Sequence, residues 1–370
     1  MEDSPAVALR AAVVVEQCWH RVPGGTAAAA VETAAALSLL PGIEQIGVSA
    51  AHRNPPAPAF RLPIPVRAAP LPRLALYEAW HVLRRPALER FVGPVDVIHA
   101  TGWAIPPRRA PLVATVHDLA FLDHPEQYSA KGRRLFRQAL ELIAAEADLV
   151  LCSSRATLER AAAAGLDRAR LRHAPLGVRV RPAPPELVAA TLARHRLCRP
   201  FVLAVGTIEP RKNLPALIDA FRRLGRRDLD LVLVGPLGWG PDVRPLLAGL
   251  EGQVRLLGWR PADERDALYA AAAVFCYPSL LEGFGLPVLE ALAQAAPVVT
   301  SAGAATEEAA GAAALLVDPH EPAAIAAGLA EALDDPAVAA RLRAAGPAQA
   351  ARFTWERTAA TVAAAYRELV

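Results

Sequence analysis

The chain has 370 residues, of which 54% are hydrophobic and 21% are charged, with four cysteines and a formal net charge of +3. This composition excludes a globally disordered chain, because the apolar fraction is large enough to offset the loss of chain entropy on folding. The length exceeds that of one ordinary hydrophobic core, so two domains are expected.

The four cysteines, Cys18, Cys152, Cys198 and Cys276, lie far apart without a CxxC pair, which predicts reduced thiols rather than disulfides. The first residues are acidic where a secretory signal would be basic. No apolar run approaches the roughly 20 residues that a membrane span needs. We therefore expect a soluble, cytoplasmic protein.

Charge is divided unevenly along the chain. Residues 1–200 contain 25 Lys and Arg against 17 Asp and Glu (+8), whereas residues 201–370 contain 15 against 20 (−5). A basic first half predicts attraction to an anionic partner, such as an acidic membrane surface, a lipid-phosphate acceptor or a polyanion. The stretches 77–90 and 131–142 mix apolar and basic residues, which suits peripheral docking on the inner face of the membrane. A solvated arginine-rich surface is the alternative, and we expect no nucleic-acid partner.

Short runs of Val, Leu and Ile alternate with segments of helical period, which predicts βαβ units and mostly parallel sheets. Strands are predicted at 8–15, 45–50, 95–100, 112–116, 148–153 and 170–174. The pattern restarts with predicted strands at 201–205, 230–234, 254–258, 273–277, 297–301 and 314–317. The expected fold is α/β, with two Rossmann-like, doubly wound domains facing each other across a cleft.

The proline-rich stretch 180–185 predicts an extended connection between the two halves. The predicted domains are 1–180 and 200–352, joined by a linker at 181–199. The last stretch, 353–370, is predicted to form one amphipathic helix that packs back on the first domain. Ligands bind at the carboxyl ends of parallel strands, so we looked for site residues in the loops that follow strands.

Two such loops of the first half hold candidate residues. Gly24 and Gly25, followed by Thr26, precede a long alanine-rich helix, where glycines allow a phosphate or an acceptor to approach the backbone. His117 and Asp118 follow the strand at 112–116, where an imidazole can hydrogen-bond a sugar hydroxyl while the carboxylate fixes the loop. An ordinary flexible loop and a structural histidine are the alternatives.

In the second half, the sequence GTIEPRKNL at 206–214 places Arg211 and Lys212 before a helix, with Asn213 as its predicted N-cap. Two cations beside a helix start can hold a diphosphate and stabilise the charge on a leaving group. Lys131 and Lys212 are the only lysines among 40 Lys and Arg residues, which indicates that position 212 needs a compact point charge. A solvated basic pair is the alternative.

The strongest pattern is SLLEGFGLPVLEALA at 279–293, directly after a predicted strand. Its glycines allow the backbone to approach a ligand, and the helix that begins near Pro287 offers unpaired N–H groups to a phosphate. Glu282 and Glu290 can bind opposite ends of a nucleotide-sugar, because carboxylates accept directed hydrogen bonds from hydroxyl groups. A capped helix with two solvated glutamates is the alternative.

These motifs resemble those of family 4 of the retaining glycosyltransferases, which have the GT-B fold. The resemblance is carried by the Glu-x7-Glu element with its internal GFG, by EPRKN, and by VHDL followed by FL and HPE. It runs from Gly24 to the closing FTWERTA segment at 353–359. EPRKN is the form seen in the mannosyltransferase-like branch.

The resemblance implies that the second domain binds the donor and that the first lies on the acceptor side. It assigns the ribose hydroxyls to Glu290 and the transferred sugar to Glu282 with the glycine loop. The catalytic residues implied are Glu282, His117, Arg211 and Lys212. The donor-binding residues implied are Gly206, Thr207, Arg211, Lys212, Gly283, Phe284, Gly285, Leu286, Glu290, Gly24, Gly25 and Thr26.

Thr207 departs from the family pattern, because many relatives have Arg there, which leaves Arg211 and Lys212 as the predicted phosphate pair. The resemblance implies retaining transfer, in which this pair stabilises the leaving diphosphate while the acceptor hydroxyl attacks from the same face. The loops contain neither a convincing covalent nucleophile nor a DxD pair or His/carboxylate cluster, so we expect no cofactor and no metal.

The resemblance to mannosyltransferases gives GDP-mannose as the first choice of donor, ahead of UDP-sugars and dTDP-rhamnose. The acceptor is left open among a glycan, a lipid-linked sugar and a small metabolite. Two alternatives to transfer also stay open. One is a nucleotide-sugar 2-epimerase of the same architecture, and the other is a non-catalytic sugar-nucleotide or polysaccharide binding protein.

Overall fold

A computed structural model describes residues 8–239 and 242–370. The chain divides into two compact units. Unit 1 comprises the chain up to Gly177 together with Trp355–Val370, and unit 2 comprises Val178–Thr354. Each unit is built around one parallel β-sheet, as the alternation of apolar runs and helical segments predicts.

Unit 1 contains a seven-stranded sheet of order β3-β2-β1-β4-β5-β6-β7. Its strands are β1 Leu9–Val14, β2 Ile43–Ser49, β3 Val66–Ala68, β4 Val97–Ala100, β5 Leu112–Val116, β6 Leu149–Cys152 and β7 Leu171–His173. Its first six helices are α1 Gly24–Leu37, α2 Arg73–Glu78, α3 Glu89–Val92, α4 Ala120–Asp123, α5 Ala130–Glu146 and α6 Arg155–Ala163. The strand order reverses between β1 and β4, where the carboxyl ends of a doubly wound sheet leave room for ligands.

Unit 2 contains a six-stranded sheet of order β10-β9-β8-β11-β12-β13. Its strands are β8 Phe201–Val205, β9 Asp230–Val234, β10 Val254–Gly258, β11 Val274–Tyr277, β12 Val298–Ser301 and β13 Leu315–Val317. Its helices are α7 Pro185–His195, α8 Leu214–Leu224, α9 Ala262–Ala271, α10 Leu286–Ala293, α11 Ala305–Ala310, α12 Pro322–Asp334 and α13 Pro336–Ala350. Here the order reverses between β8 and β11.

Strands β4 and β6 of unit 1 and β8, β9 and β11 of unit 2 are buried along their whole length, because helices cover both faces of a parallel sheet. The edge strands β10 and β13 are partly exposed. Apolar residues of α8 follow helical spacing and are buried against the sheet, and α8 packs on α12. This packing places the loops after the central strands on a rigid support.

The last helix, α14 Trp355–Glu368, belongs to unit 1 and packs on α1. Its Tyr366 is fully buried, and the hydroxyl hydrogen-bonds His99 Nδ1 at 2.8 Å while His99 Nε2 hydrogen-bonds Thr115 Oγ1 at 2.7 Å. The last helix is therefore held in the core of unit 1 by a hydrogen bond between residues that are 267 positions apart.

The predicted strands agree with the observed ones to within two residues at each end, but β3 was not predicted. This strand of three residues is flanked by prolines, which conceal its strand pattern, and it pairs in parallel with the end of β2. The segment 181–199, predicted as a linker, also differs: it contains α7, which packs on α9 within unit 2. Prolines at its start fit the first turn of a helix as well as an extended connection.

Within the described part of the chain, no helix combines the length and the apolar character needed to cross a membrane.

Candidate functional site

The loops after β8 and β11 meet where the strand order of unit 2 reverses. The backbone N–H of Leu280 donates to the carbonyl of Arg211 at 2.8 Å, which joins the two loops directly. Asn213 Nδ2 donates to the carbonyl of Pro278 at 3.1 Å and to that of Pro319 at 2.6 Å. Asn213 occupies the N-cap position of α8 with a φ of +56°, but its side chain makes no capping bond. The predicted N-cap position is therefore confirmed, but the side chain joins three loops instead of capping the helix.

Lys212 lies at the centre of this junction. Its Nζ donates to Glu282 Oε1 at 2.5 Å and to the Tyr277 hydroxyl at 2.7 Å. The same carboxylate oxygen accepts hydrogen bonds from Ser279 Oγ at 2.7 Å and from the Tyr277 hydroxyl at 3.0 Å. Only 10% of the Lys212 side chain and 7% of the Glu282 side chain are exposed. The structure therefore brings two of the predicted catalytic residues into one buried, hydrogen-bonded pair.

Arg211 and Glu209 complete the cluster. The Arg211 Nε contacts Glu209 Oε1, its Nη1 lies 3.9 Å from Glu282 Oε2, and the Glu209 side chain is 2% exposed. Lys212 Nζ lies 4.0 Å from the same Glu209 oxygen. The cluster thus contains two cations and two carboxylates. A diphosphate that binds here competes with the carboxylates for cations that are already in place.

Burial acts to raise the pKa of Glu282, but the charges of Lys212 and Arg211, together with hydrogen bonds from Lys212 and Ser279, outweigh it and lower the pKa to about 2. Burial also raises the pKa of Tyr277 well above its usual range, and the neighbouring Glu282 adds to that shift. At neutral pH the carboxylate is therefore ionised, and the phenol is a neutral donor.

Glycines allow the backbone segments around this cluster to pack closely together. Gly285 has a φ of +103°, and a Cβ there would lie 3.0 Å from Thr306 Cγ2. A Cβ at Gly235, after β9, would lie 1.8 Å from the carbonyl oxygen of Gly206. Gly285 is the N-cap of α10 and has no side chain to cap the first turn, so a capping acceptor for that turn must come from elsewhere.

The other predicted residues of these loops lie around the cluster. Gly206 and Thr207 follow β8, and Thr207 Cγ2 lies 2.5 Å from the position that a Cβ on Gly238 would take. Gly283 precedes Phe284, and Leu286 is the first residue of α10. The Phe284 side chain is 3% exposed and packs edge-on against Phe353 at 5.6 Å between ring centroids. A ligand can therefore meet Phe284 through its backbone but not through its buried ring.

Glu290 lies in α10 and is held by two side chains of α9. Arg265 Nη2 donates to its Oε1 at 3.1 Å, and the Tyr269 hydroxyl donates to its Oε2 at 2.9 Å. The carboxylate is 24% exposed. Glu290 is the chief cause that raises the pKa of Arg265. Glu290 thus has different hydrogen-bond partners from Glu282, and each of its carboxylate oxygens accepts a hydrogen bond from a side chain of α9.

In unit 1, His117 follows β5 as predicted. Its Nδ1 hydrogen-bonds Ser153 Oγ at 3.0 Å, and burial lowers its pKa, so the ring is neutral at pH 7. The Asp118 carboxylate accepts from the backbone N–H of Ala120 at 3.1 Å and so fixes the loop. His117 lines a cavity of about 30 Å³ that His99 and Thr115 also line.

The glycine loop of unit 1 opens α1, which begins at Gly24 with a φ of +63°. Gly24 and Gly25 are exposed, and the hydroxyl of Thr26 donates to the carbonyl of Pro23 at 3.3 Å. A Cβ at position 24 would have no neighbouring atom within 4 Å, so space does not require a glycine there. The positive φ of this residue is what favours glycine.

Several residues of the site were not predicted. Tyr277, Ser279 and Glu209 bind the Lys212–Glu282 pair, and Arg265 and Tyr269 bind Glu290. A signal for the last two exists in the sequence, because a spacing of four residues places them on the same face of α9. Nothing in the sequence alone indicates that this face meets α10.

Two families match most of the chain. The family described as Glycosyltransferase Family 4 matches residues 23–181, and the one described as Glycosyl transferases group 1 matches residues 194–349. The chain is 33% identical over 283 residues to the O-antigen chain mannosyltransferase B of Escherichia coli, which covers 74% of each protein. It is 34% identical over 334 residues to a D-inositol 3-phosphate glycosyltransferase of Salinispora arenicola, which covers 78% of this chain and 72% of the relative.

Solved structures share the fold across nearly the whole chain. HepE of Anabaena, in complex with UDP and glucose, superposes with a TM-score of 0.77 at 20% identity and covers 98% of this chain and 100% of that one. WaaG, a glycosyltransferase involved in lipopolysaccharide biosynthesis, superposes with a TM-score of 0.72 at 17% identity and covers 96% and 98%.

Proposed function

The chain belongs to glycosyltransferase family 4 and has the GT-B fold, and from this premise we propose that it transfers a hexosyl group from a nucleotide-diphosphate sugar, with retention of configuration. That it is a glycosyltransferase follows from the family. The proposal concerns the donor, the stereochemistry and the residues that act. We propose a glycan, a lipid-linked sugar or a small molecule as the acceptor, and a cytoplasmic location.

The observation that carries the proposal is the buried pair of Lys212 and Glu282 where the strand order of unit 2 reverses. Ligands of doubly wound sheets bind at the carboxyl ends of the strands at such a point. A buried ion pair is expensive to maintain and contributes little net stability. Its position beside Arg211 and the uncapped first turn of α10 therefore supports a binding role.

In the proposed reaction, Arg211 and Lys212 hold the diphosphate and stabilise the negative charge that develops as the sugar leaves. Glu282 accepts hydrogen bonds from the transferred sugar, and its contacts with Ser279 and Tyr277 keep it oriented when Lys212 turns to the diphosphate. Glu290 accepts hydrogen bonds from the ribose hydroxyls. Neutral His117 hydrogen-bonds a sugar hydroxyl.

We propose mannose as the transferred sugar and GDP-mannose as the first donor to test. Support comes from the relative named as a mannosyltransferase and from the EPRKN form of the loop after β8. HepE was solved with UDP and glucose, and at 20% identity it supports the fold alone. UDP-sugars, named above as a later choice of donor, belong in the same screen.

A thermal-shift screen of GDP-, UDP-, ADP- and dTDP-sugars tests the proposal. A donor at 100 times its dissociation constant adds about 2.7 kcal/mol of stability and raises the unfolding midpoint. The donor found is then incubated with and without an acceptor mixture. The proposal expects nucleotide release that depends on acceptor and a product of unchanged anomeric configuration. An epimerised donor in the absence of acceptor, or stabilisation by no sugar nucleotide, contradicts it.

A further inference from the structure

Three loops of unit 1 carry basic residues that the proposed reaction does not use. His20 and Arg21 follow β1, His52 and Arg53 follow β2, and Arg73 follows β3. These strands are adjacent and parallel, so their carboxyl ends lie at the same edge of the sheet. That edge is where a doubly wound sheet binds ligands.

Contacts between the loops join them into one surface. The Trp19 Nε1–H donates to the carbonyl of Asn54 at 3.0 Å, and its ring stacks on His52 with 5.1 Å between ring centroids. The backbone N–H of Ala51 donates to the carbonyl of Leu71 at 2.8 Å. The first pair of contacts connects the loops after β1 and β2, and the last connects the loops after β2 and β3.

Glu16 is the only acidic residue among the loop residues 15–23, 50–65 and 69–73. It is 1% exposed, and its Oε2 accepts a hydrogen bond from the backbone N–H of Ala50 at 2.7 Å. Both of its oxygens lie 3.0 Å from His52 Nε2. Its charge is therefore engaged inside the protein, and these loops contain no other carboxylate to pair with their exposed cations.

The arginines of this edge are placed to meet a ligand. Arg21 and Arg53 are exposed and Arg73 is half-buried, and none of the three forms a hydrogen bond or ion pair with another residue in the described ranges. Burial lowers the pKa of His20 to about 4, with smaller contributions from the charges of Arg73 and His52. Within the described residues, these loops thus present guanidinium groups that have no carboxylate partner, together with a neutral imidazole at His20.

We infer that this basic edge, formed by Glu16, His20, Arg21, His52, Arg53 and Arg73, binds the phosphate group of an anionic acceptor. The inference rests on the proposed function, which assigns the donor diphosphate to Arg211 and Lys212 and so leaves the basic edge free for a second anion. Guanidinium groups bind phosphate oxygens through paired, charge-assisted hydrogen bonds. A neutral sugar acceptor offers no charge for these guanidinium groups to bind.

Matched acceptors test the inference with the full-length enzyme and the donor that the screen identifies. They are a neutral alkyl mannoside, the alkyl mannosyl diphosphate of the same chain length, and a water-soluble mannose phosphate. The enzyme prefers the phosphorylated acceptors in kcat/KM. In the double variant Arg53→Gln/Arg73→Gln this preference falls by about tenfold or more, because charge-assisted hydrogen bonds to the phosphate are lost. Arg109→Gln, an exposed arginine before β5 and so at the amino ends of the strands, keeps the preference.

The outcomes separate the source of the phosphate. Preference for both phosphorylated acceptors means that the phosphate alone is recognised, whereas preference for the alkyl diphosphate alone means that a lipid-linked acceptor is recognised. A neutral acceptor used equally well, or a preference that the double variant retains, overturns the inference while the donor still stabilises the enzyme. Failure of every donor to stabilise the enzyme or to be consumed would instead contradict the proposed function.

Discussion

Lys212 and Glu282 are 70 residues apart in the sequence, and in unit 2 their Nζ and Oε1 atoms are 2.5 Å apart. They meet because β8 and β11 are neighbours in the sheet although two strands lie between them in the chain. Within the cluster, each charge is balanced by the other and by Arg211 and Glu209. The proposed donor therefore binds by exchanging carboxylate contacts for phosphate contacts at cations that are already positioned.

Replacing Lys212 with Ala should reduce kcat/KM for the donor by about 10²–10³, the usual effect of losing one group that stabilises developing charge. The fold should persist, because Glu282 keeps Ser279 and Tyr277 as hydrogen-bond donors. Steady-state kinetics and the unfolding midpoint measure the two effects. Lys131→Ala is the matched control, since it removes the only other lysine, which is exposed on α5. Wild-type turnover in Lys212→Ala would remove Lys212 from the mechanism.

Glu290→Ala should raise KM for the donor by about tenfold or more, because one or two charge-assisted hydrogen bonds to the nucleotide are lost. Tyr269→Phe should give a smaller change in the same direction, since it removes the hydroxyl that is one of the two side-chain donors to the carboxylate. Combining the two substitutions should add little to Glu290→Ala alone. Additive effects in this double-mutant cycle would show that Tyr269 does not act through Glu290.

Lowering the pH should destabilise unit 1 through its buried histidines, at pH values above those at which carboxyl groups ordinarily become protonated. Burial is the main cause that lowers the pKa of His99 to about 3 and those of His20 and His81 to about 4. The unfolded chain binds protons at these histidines below about pH 6.5, whereas the folded protein does not, so stability falls as the pH drops from about 6.5 toward 3 to 4. For His99 the loss at pH 5 is about 2 kcal/mol.

Unfolding midpoints at pH 7.5 and pH 5 measure this dependence. His99→Gln should lose less stability on acidification than the wild type, whatever its stability at pH 7.5. The exposed His320 provides the control variant His320→Gln, which should behave as the wild type. Glu282 contributes at lower pH: its folded pKa of about 2 means that its stabilisation is present above the ordinary carboxyl range and is lost toward pH 2. An equal acid response of wild type and His99→Gln would contradict this account.

EDTA should leave transfer unchanged, because Arg211, Lys212 and the first turn of α10 supply the positive charge that the diphosphate needs. Initial rates with and without the chelator test this expectation. Loss of activity that added Mn²⁺ restores would require a metal in the mechanism.

The strands and the loops that follow them could be predicted from the sequence, because a buried parallel strand needs a continuous apolar run such as FVLAV. The contact between Lys212 and Glu282 could not, since it depends on which strands are neighbours and not on their order in the chain. The role of Asn213 could not be predicted either. Its amide donates to carbonyls of two distant loops, whereas local rules predict that the side chain caps the helix. Local patterns predicted the candidate residues, and tertiary contacts determine how those residues are arranged.

A crystal structure with the bound sugar nucleotide tests the central claim most directly. The account predicts diphosphate oxygens within hydrogen-bonding distance, about 3 Å, of Lys212 Nζ and the Arg211 guanidinium. It also predicts that Glu282 keeps Ser279 as a donor while its bond to Lys212 lengthens. A well-ordered nucleotide bound elsewhere, with Lys212 still paired to Glu282, would contradict the account.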